Sequence, residues 1–153
     1  MIQRKQTLFL FLAIVAIAVC LFLPVATIVP PGMGVESHLF NLGIRDADGS
    51  LSFGAWPLCL LLTLSAIMDI ASIFLYHLRK LQAKLCIWSI ILCVLWYGYY
   101  VLIFTHVMLS DVQGSYHVHF AVCLPLVAAI LTMMARRGVL ADESLIRAAD
   151  RIR

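Results

Sequence analysis

Four long apolar runs organise this chain of 153 residues, and short polar segments separate them. The runs cover residues 8–29, 56–78, 85–105 and 119–135. A helix that crosses the hydrocarbon core of a bilayer needs about 20 predominantly apolar residues. The pattern therefore predicts an all-α membrane protein, built as a bundle of four transmembrane helices. Asp69 is the one charged residue inside these runs, and Pro125 predicts a kink in the fourth.

The basic residues are distributed unevenly about the four runs. Ten of the eleven Lys and Arg residues precede the first run, lie between the second and third, or follow the fourth. Only Arg45 lies in a segment on the other side. By the positive-inside rule, this asymmetry predicts that both termini are cytoplasmic. The first run is too long for the apolar part of a signal peptide, so we expect it to be retained as a span.

The composition changes this picture little. The chain is 63% hydrophobic and 12% charged, so it has more apolar surface than a soluble fold of this length can bury. The excess is expected to face the lipid bilayer. The net charge of +3 arises from residues that flank the apolar runs, which is typical of topology signals and not of a nucleic-acid footprint. The five cysteines lie inside apolar runs without a C-x-x-C motif, as small core residues do.

The segment between the first two runs carries strand and turn signals. Val35–Ile44 reads as a strand, Asp46–Gly49 as a turn, and Ser50–Phe53 as a returning strand. We therefore expect a small β-hairpin on the outer mouth of the bundle. The Asp-x-Asp-Gly string lacks the further carboxylates of a calcium loop, so an ordinary turn is favoured and no metal is expected.

Asp69 is the first candidate functional residue, because a charged side chain within a membrane is costly and commonly functional. Ser65, Asp69 and Ser72 follow helical spacing and form one polar stripe that should face the bundle. Two interpretations remain open. The stripe either relays a proton or solute, or it joins its helix to its neighbours by hydrogen bonds. The second is favoured, because no acidic or basic partner lies in any other run.

Histidines near the outer ends of the runs form a second candidate group. They are His106, His117 and His119. In an extended segment, His117 and His119 would present their imidazoles on one side. Histidine is both a metal ligand and a pH switch, but histidines at helix ends are common without either role. Metal binding or proton sensing is therefore the less favoured interpretation.

The segment 138–153 follows the four-helix domain of residues 1–137 and forms a cytoplasmic tail. Asp142 is suited to cap a short amphipathic helix there. The helix would carry three candidate contact residues, Arg147, Arg151 and Arg153. It either rests on the inner leaflet or docks onto a partner.

Both ends of the chain resemble a known family. The opening Met1–Thr7, the pair Asp142-Glu143 and the closing Ala149–Arg153 are similar to the ends of a domain-of-unknown-function family. Its members are small four-helix proteins of bacterial membranes. The resemblance covers the whole chain and implies a bacterial inner membrane. It brings no catalytic residues and no cofactor to carry over.

Three classes of function follow from these observations. The favoured prediction is a non-enzymatic scaffold or accessory subunit of a membrane complex, whose partner is another membrane protein or a second copy of the chain. The alternative is a small proton-linked transporter or channel that uses Asp69. A membrane enzyme is disfavoured, because only the outer histidines together with Asp111 come near a converging set of reactive groups. No cofactor is expected.

Overall fold

The structure, a computed structural model, describes residues 3–29, 36–46, 48–109 and 115–150. Four long helices dominate this part of the chain. They are α1 (Gln3–Phe22), α2 (Trp56–Phe74), α3 (Arg79–Leu109) and α4 (Leu124–Asp150). Each helix packs against its neighbours in the chain, and α1 also packs against α4. The helices therefore form a closed four-helix bundle.

All four helices are long and apolar enough to cross a membrane. Their outward faces carry large apolar side chains that remain exposed, among them Phe11 on α1, Ile67 on α2, Val94 on α3 and Leu126 on α4. Soluble monomers rarely expose continuous apolar surface of this extent. The length and composition of the helices and this exposed apolar surface are those expected of a membrane protein.

A small antiparallel sheet covers one end of the bundle. In the described residues it has five strands, β1 (Ala26–Val29), β2 (Ser37–Leu39), β3 (Ile44–Arg45), β4 (Leu51–Ser52) and β5 (Ser115–Val118). Their order across the sheet is β4-β3-β2-β1-β5. Side chains from its inner face, including Ala26 and Leu39, join the core. We call this the sheet end; the opposite end, where α1 begins and α4 finishes, is the termini end.

The segment between β1 and α2 forms three strands, β2, β3 and β4, where a two-stranded hairpin was predicted. Between β3 and β4, the Gly49 amide donates to the Asp46 carbonyl at 2.9 Å, as the predicted turn requires, and Gly49 has a positive φ of 77°. The prediction of one strand over Val35–Ile44 is wrong, because a second turn divides it. There, Phe40 and Gly43 exchange two backbone hydrogen bonds of 2.9 and 3.2 Å. The all-α prediction therefore understated the β content.

The first predicted span, 8–29, is helical only as far as Phe22. Pro24 explains the early end, because proline disfavours helical geometry in the preceding residue and has no N–H to donate. The chain then enters β1, which pairs with β2 on one side and β5 on the other. The last four residues of this apolar stretch thus form an interior strand of the sheet.

The fourth helix also departs from its prediction. Pro125 is the second residue of α4, where its missing N–H costs no helical hydrogen bond, so the predicted kink is wrong. The prediction of a separate tail helix is wrong as well. Helix α4 runs without a break to Asp150, and Asp142 lies in its interior and caps nothing. Good helix formers such as Ala141 and Glu143 continue it past the apolar run.

Candidate functional site

The polar stripe of α2 faces the interior of the bundle. Ser65, Asp69 and Ser72 are each fully buried. Their spacing of four and then three residues places them on one face of a helix. That face makes hydrogen bonds to α3 and, through Thr132, to α4. We call these residues and their polar neighbours on the facing helices the Asp69 cluster. The neighbours are Cys86, Ser89, Cys93 and Thr132.

The Asp69 carboxyl has an incomplete set of hydrogen bonds. Thr132 Oγ1 donates to Asp69 Oδ2 at 3.3 Å. Asp69 Oδ1 is buried and has no hydrogen-bond partner among the described residues. A buried carboxylate is stable only when it is paired and fully hydrogen-bonded. The site therefore stabilises the ionised form poorly.

The two serines of the stripe bind α3 instead of Asp69. Ser65 Oγ lies 2.9 Å from Ser89 Oγ and 3.4 Å from Cys93 Sγ. One turn beyond Asp69, Ser72 Oγ lies 3.4 Å from Cys86 Sγ. These contacts hold α2 against α3, which supports the interpretation of the stripe as a join between helices. Asp69 itself is hydrogen-bonded to α4 through Thr132.

Polar groups continue from the cluster toward the termini end. Gln6, Gln82 and Asp142 are buried there, and Gln6 Nε2 donates to Asp142 Oδ2 at 2.6 Å. Together with Tyr76 and other side chains they line a cavity of about 20 Å³. A polar cavity of this size has room for one water molecule.

Arg136 lies between the two polar regions along α4. It is one turn beyond Thr132 and about two turns before Asp142. Its Nε is buried and has no hydrogen-bond partner among the described residues. Orphaned buried polar atoms are rare in proteins, and here two of them, in Asp69 and Arg136, lie on the polar side of the bundle.

The sheet end is built differently. Large apolar side chains fill the core there, including the fully buried Ile17, Leu58, Leu62 and Trp96. The rings of Trp96 and Tyr100 are parallel with centroids 5.4 Å apart. Tyr116 Oη donates to Tyr100 Oη at 3.2 Å, and burial raises the pKa of Tyr116. The Asp69 cluster is thus separated from the sheet by a layer of apolar and aromatic side chains.

Asn41 is the polar residue that joins the sheet to this core. Its Nδ2 donates to the Cys20 carbonyl at 2.6 Å, and its Oδ1 accepts from Trp96 Nε1 at 3.0 Å. Its own carbonyl accepts from the Cys59 amide at 3.1 Å. We call this set the Asn41 junction. Sequence reasoning missed it, although Pro24 carries a signal: without an N–H at that residue, the Cys20 carbonyl needs another donor.

The predicted His119 shares a hydrogen-bonding partner at the sheet with His38, a histidine of β2. Thr27 Oγ1 lies 2.7 Å from His119 Nε2 and 3.0 Å from His38 Nδ1. His117 is opposite Thr27 in the pairing of β1 with β5, so it shares that face of the sheet. His106 lies apart from them, near the end of α3. Within the described ranges, no three His, Cys, Asp or Glu residues are placed to hold a metal ion.

The three arginines of the tail are placed only in part. Arg147 belongs to the last turns of α4, whereas Arg151 and Arg153 lie outside the described residues. Asp111 and the Pro30-Pro31-Gly32 segment also lie outside them. The prediction that these arginines contact lipid or a partner stays a prediction.

Comparison with known sequences bears out the resemblance seen at the two ends of the chain. A search of curated proteins found no match to this sequence. A family described as a domain of unknown function matches residues 2–152, which is nearly the whole chain. The protein therefore belongs to the domain-of-unknown-function family DUF4293.

Proposed function

We propose that this protein is a non-enzymatic scaffold or accessory subunit of a membrane complex. The observation that carries the proposal is the unbroken α4, Leu124–Asp150. Its 27 residues correspond to about 40 Å of helix, whereas the hydrocarbon core of a bilayer is about 30 Å thick. The last turns of α4 then continue the same helix beyond the hydrocarbon core, and we call them the arm. A helix that rested flat on the membrane would have to bend away from α4.

The base of this arm is held firmly against the bundle. The Gln6–Asp142 hydrogen bond joins it to α1, and Val139 is buried beside it. Gly138 permits the close approach, because a Cβ at that residue would lie 2.9 Å from Gln6 Cγ. Beyond the base, Leu145 and Ile146 are exposed. A fixed helix with exposed apolar residues is a suitable docking element for a partner protein.

The charge distribution supports a cytoplasmic position for the arm. The Lys and Arg residues concentrate at the termini end, so the positive-inside rule favours both termini in the cytoplasm of a bacterial inner membrane. Reporters fused to either terminus, and within residues 31–55, test this orientation. We expect cytoplasmic signals from both termini, and an extracytoplasmic signal from either would contradict the topology.

The docking role is tested by affinity purification from native membranes. We expect a partner that is recovered with the wild-type protein to be lost when Arg147, Arg151 and Arg153 are all replaced by Lys. Lysine keeps the charge but lacks the planar guanidinium that binds a carboxylate in two places. The matched control is Arg137→Lys, which changes an exposed arginine nearer the bundle. Equal partner recovery from the triple variant and the wild type would refute docking through these arginines.

The second candidate function is proton-linked transport or conduction that uses Asp69. It is favoured by the orphaned Asp69 Oδ1, because a poorly satisfied carboxyl in the membrane can take up and release a proton. Proton flux into liposomes that contain the protein tests it. Asp69→Asn should abolish such flux and Ser65→Ala should leave most of it. A flux that survives Asp69→Asn would eliminate this function.

A further inference from the structure

A groove of about 540 Å³ opens at the termini end, between the turn that joins α2 to α3 and the α4 arm. One side is apolar. Leu78, Leu81 and Ile146 line it, and each remains at least two-fifths exposed, at 59%, 43% and 46%. The groove lies outside the Asp69 cluster, and of the residues named in the scaffold proposal it includes Ile146 alone.

The rest of the groove is lined mainly by basic side chains. His77, Arg79 and Lys80 come from the α2–α3 turn and the first turn of α3, and Glu143 comes from α4. Two permanent cations therefore meet one carboxylate. The turn lies where the apolar helix α2 ends and the apolar helix α3 begins. In a membrane this is the level at which hydrocarbon gives way to headgroups. The groove thus has an apolar wall and a cationic rim at a membrane interface.

We propose that this groove binds one anionic phospholipid. Its phosphate lies between Arg79 and Lys80, and the first part of an acyl chain runs along Leu78, Leu81 and Ile146. Arginine binds phosphate oxygens in two places, and lysine adds a compact charge. Basic pockets between helices at the membrane surface suit such headgroups.

Size and charge favour this occupant over the alternatives. The groove has room for a headgroup and the start of a chain, while the remaining hydrocarbon stays in the bilayer. A docked partner helix would need a longer apolar surface, and it would leave the two cations facing apolar side chains. A zwitterionic lipid offers its own cation to the rim, so its affinity should be lower.

Native mass spectrometry of the full-length protein, released from nanodiscs of mixed lipid, tests the proposal. The probes are phosphatidylglycerol, phosphatidylethanolamine and phosphatidylcholine with the same acyl chains. We expect one retained phosphatidylglycerol per protein and little retention of the other two. The variant Arg79→Gln/Lys80→Gln should lower phosphatidylglycerol retention about tenfold. The matched control Lys84→Gln/Arg137→Gln removes two cations from the same end, outside the groove lining, and should retain the lipid.

Two further variants keep the test decisive. Glu143→Gln removes the carboxylate from the lining and should raise phosphatidylglycerol retention about threefold. If the double glutamine variant fails to fold, Lys80→Gln alone changes an exposed side chain and should lower retention in the same direction. Equal retention of the three lipids would overturn the proposal. Equal loss from the groove variant and the Lys84/Arg137 control would also overturn it, as would a co-purified protein that occupies the groove in place of lipid.

Discussion

The Asn41 junction and the Asp69 cluster are both buried polar sites in an apolar bundle, but they differ in how completely their hydrogen bonds are made. Every polar atom of the Asn41 side chain has a partner, and the partners belong to α1 and α3. In the Asp69 carboxyl one oxygen has a hydroxyl donor and the other has none among the described residues. The two sites also lie at different levels, one beneath the sheet and one nearer the termini end.

This difference separates a structural role from a candidate functional one. A polar group with all its hydrogen bonds made, in a low-dielectric interior, stabilises one arrangement of its helices. Any other arrangement leaves a buried donor or acceptor without a hydrogen bond, which costs free energy. A buried polar group with only some of its hydrogen bonds made adds little stability, so its presence in the core calls for another explanation. We therefore expect mutations at the sheet end to affect folding most. Mutations at Asp69 should affect function more than folding.

The largest expected effect is that of Asn41→Leu. It leaves the Cys20 carbonyl and the Trp96 indole N–H buried without partners, which should lower the free energy of unfolding by about 3 kcal/mol. Unfolding in detergent measures this. Trp96→Phe removes one of these bonds, so the double variant should lose less than the sum of the single losses. A loss below about 1 kcal/mol would remove the contrast with Asp69.

The next effect is that of Gly43→Ala, at the turn between β2 and β3. A Cβ there would meet the backbone carbonyl of Ser52, which cannot move without shifting β4. We expect a loss of about 2 kcal/mol, measured as a lower Tm in detergent. Gly54→Ala is the matched control, since its Cβ would enter open space. Equal Tm values for the two variants would show that the sheet is not packed rigidly on the bundle.

A smaller effect is expected for Gly138→Ala at the termini end. Its Cβ would press on the flexible Gln6 side chain, so the strain should be offset in part by the better helix propensity of alanine. We expect a net loss below about 1 kcal/mol. Gly98→Ala, which faces open space on α3, should instead raise stability by about 0.5 kcal/mol. The difference between the two variants measures how tightly the α4 arm is held against α1.

The smallest effect on stability is expected for Asp69→Asn. Asparagine keeps an oxygen for Thr132, so the free energy of unfolding should change by less than about 0.5 kcal/mol. Measurements at pH 5 and pH 8 should agree, because the variant has no proton to lose at this site. A loss of 2 kcal/mol or more would assign Asp69 to the structural core. If Asp69→Asn leaves Tm unchanged but abolishes proton flux, Asp69 acts as a proton relay instead.

The sequence was most informative where one physical constraint acts on a whole segment. The thickness of a bilayer demands apolar runs of a certain length, and these runs predicted the four helices. Helical spacing predicted that Ser65, Asp69 and Ser72 would be buried on one face, and the structure confirms this. The errors lie at the ends of elements. Pro24 ends α1 inside the first apolar run. Residues that favour helix continue α4 beyond the fourth apolar run.

Taken by itself, the sequence determined the number of long apolar helices, the polar stripe of α2 and the family. These properties depend on local composition and on spacing along one helix. Only the tertiary structure decided which polar atoms meet. Asn41 reaches Trp96 across 55 residues of chain, Gln6 reaches Asp142 across 136, and Asp69 reaches Thr132 across 63. Such contacts depend on how the helices are rotated and on where each one ends. A shift of one residue, about 100° around a helix, would replace these partners with others.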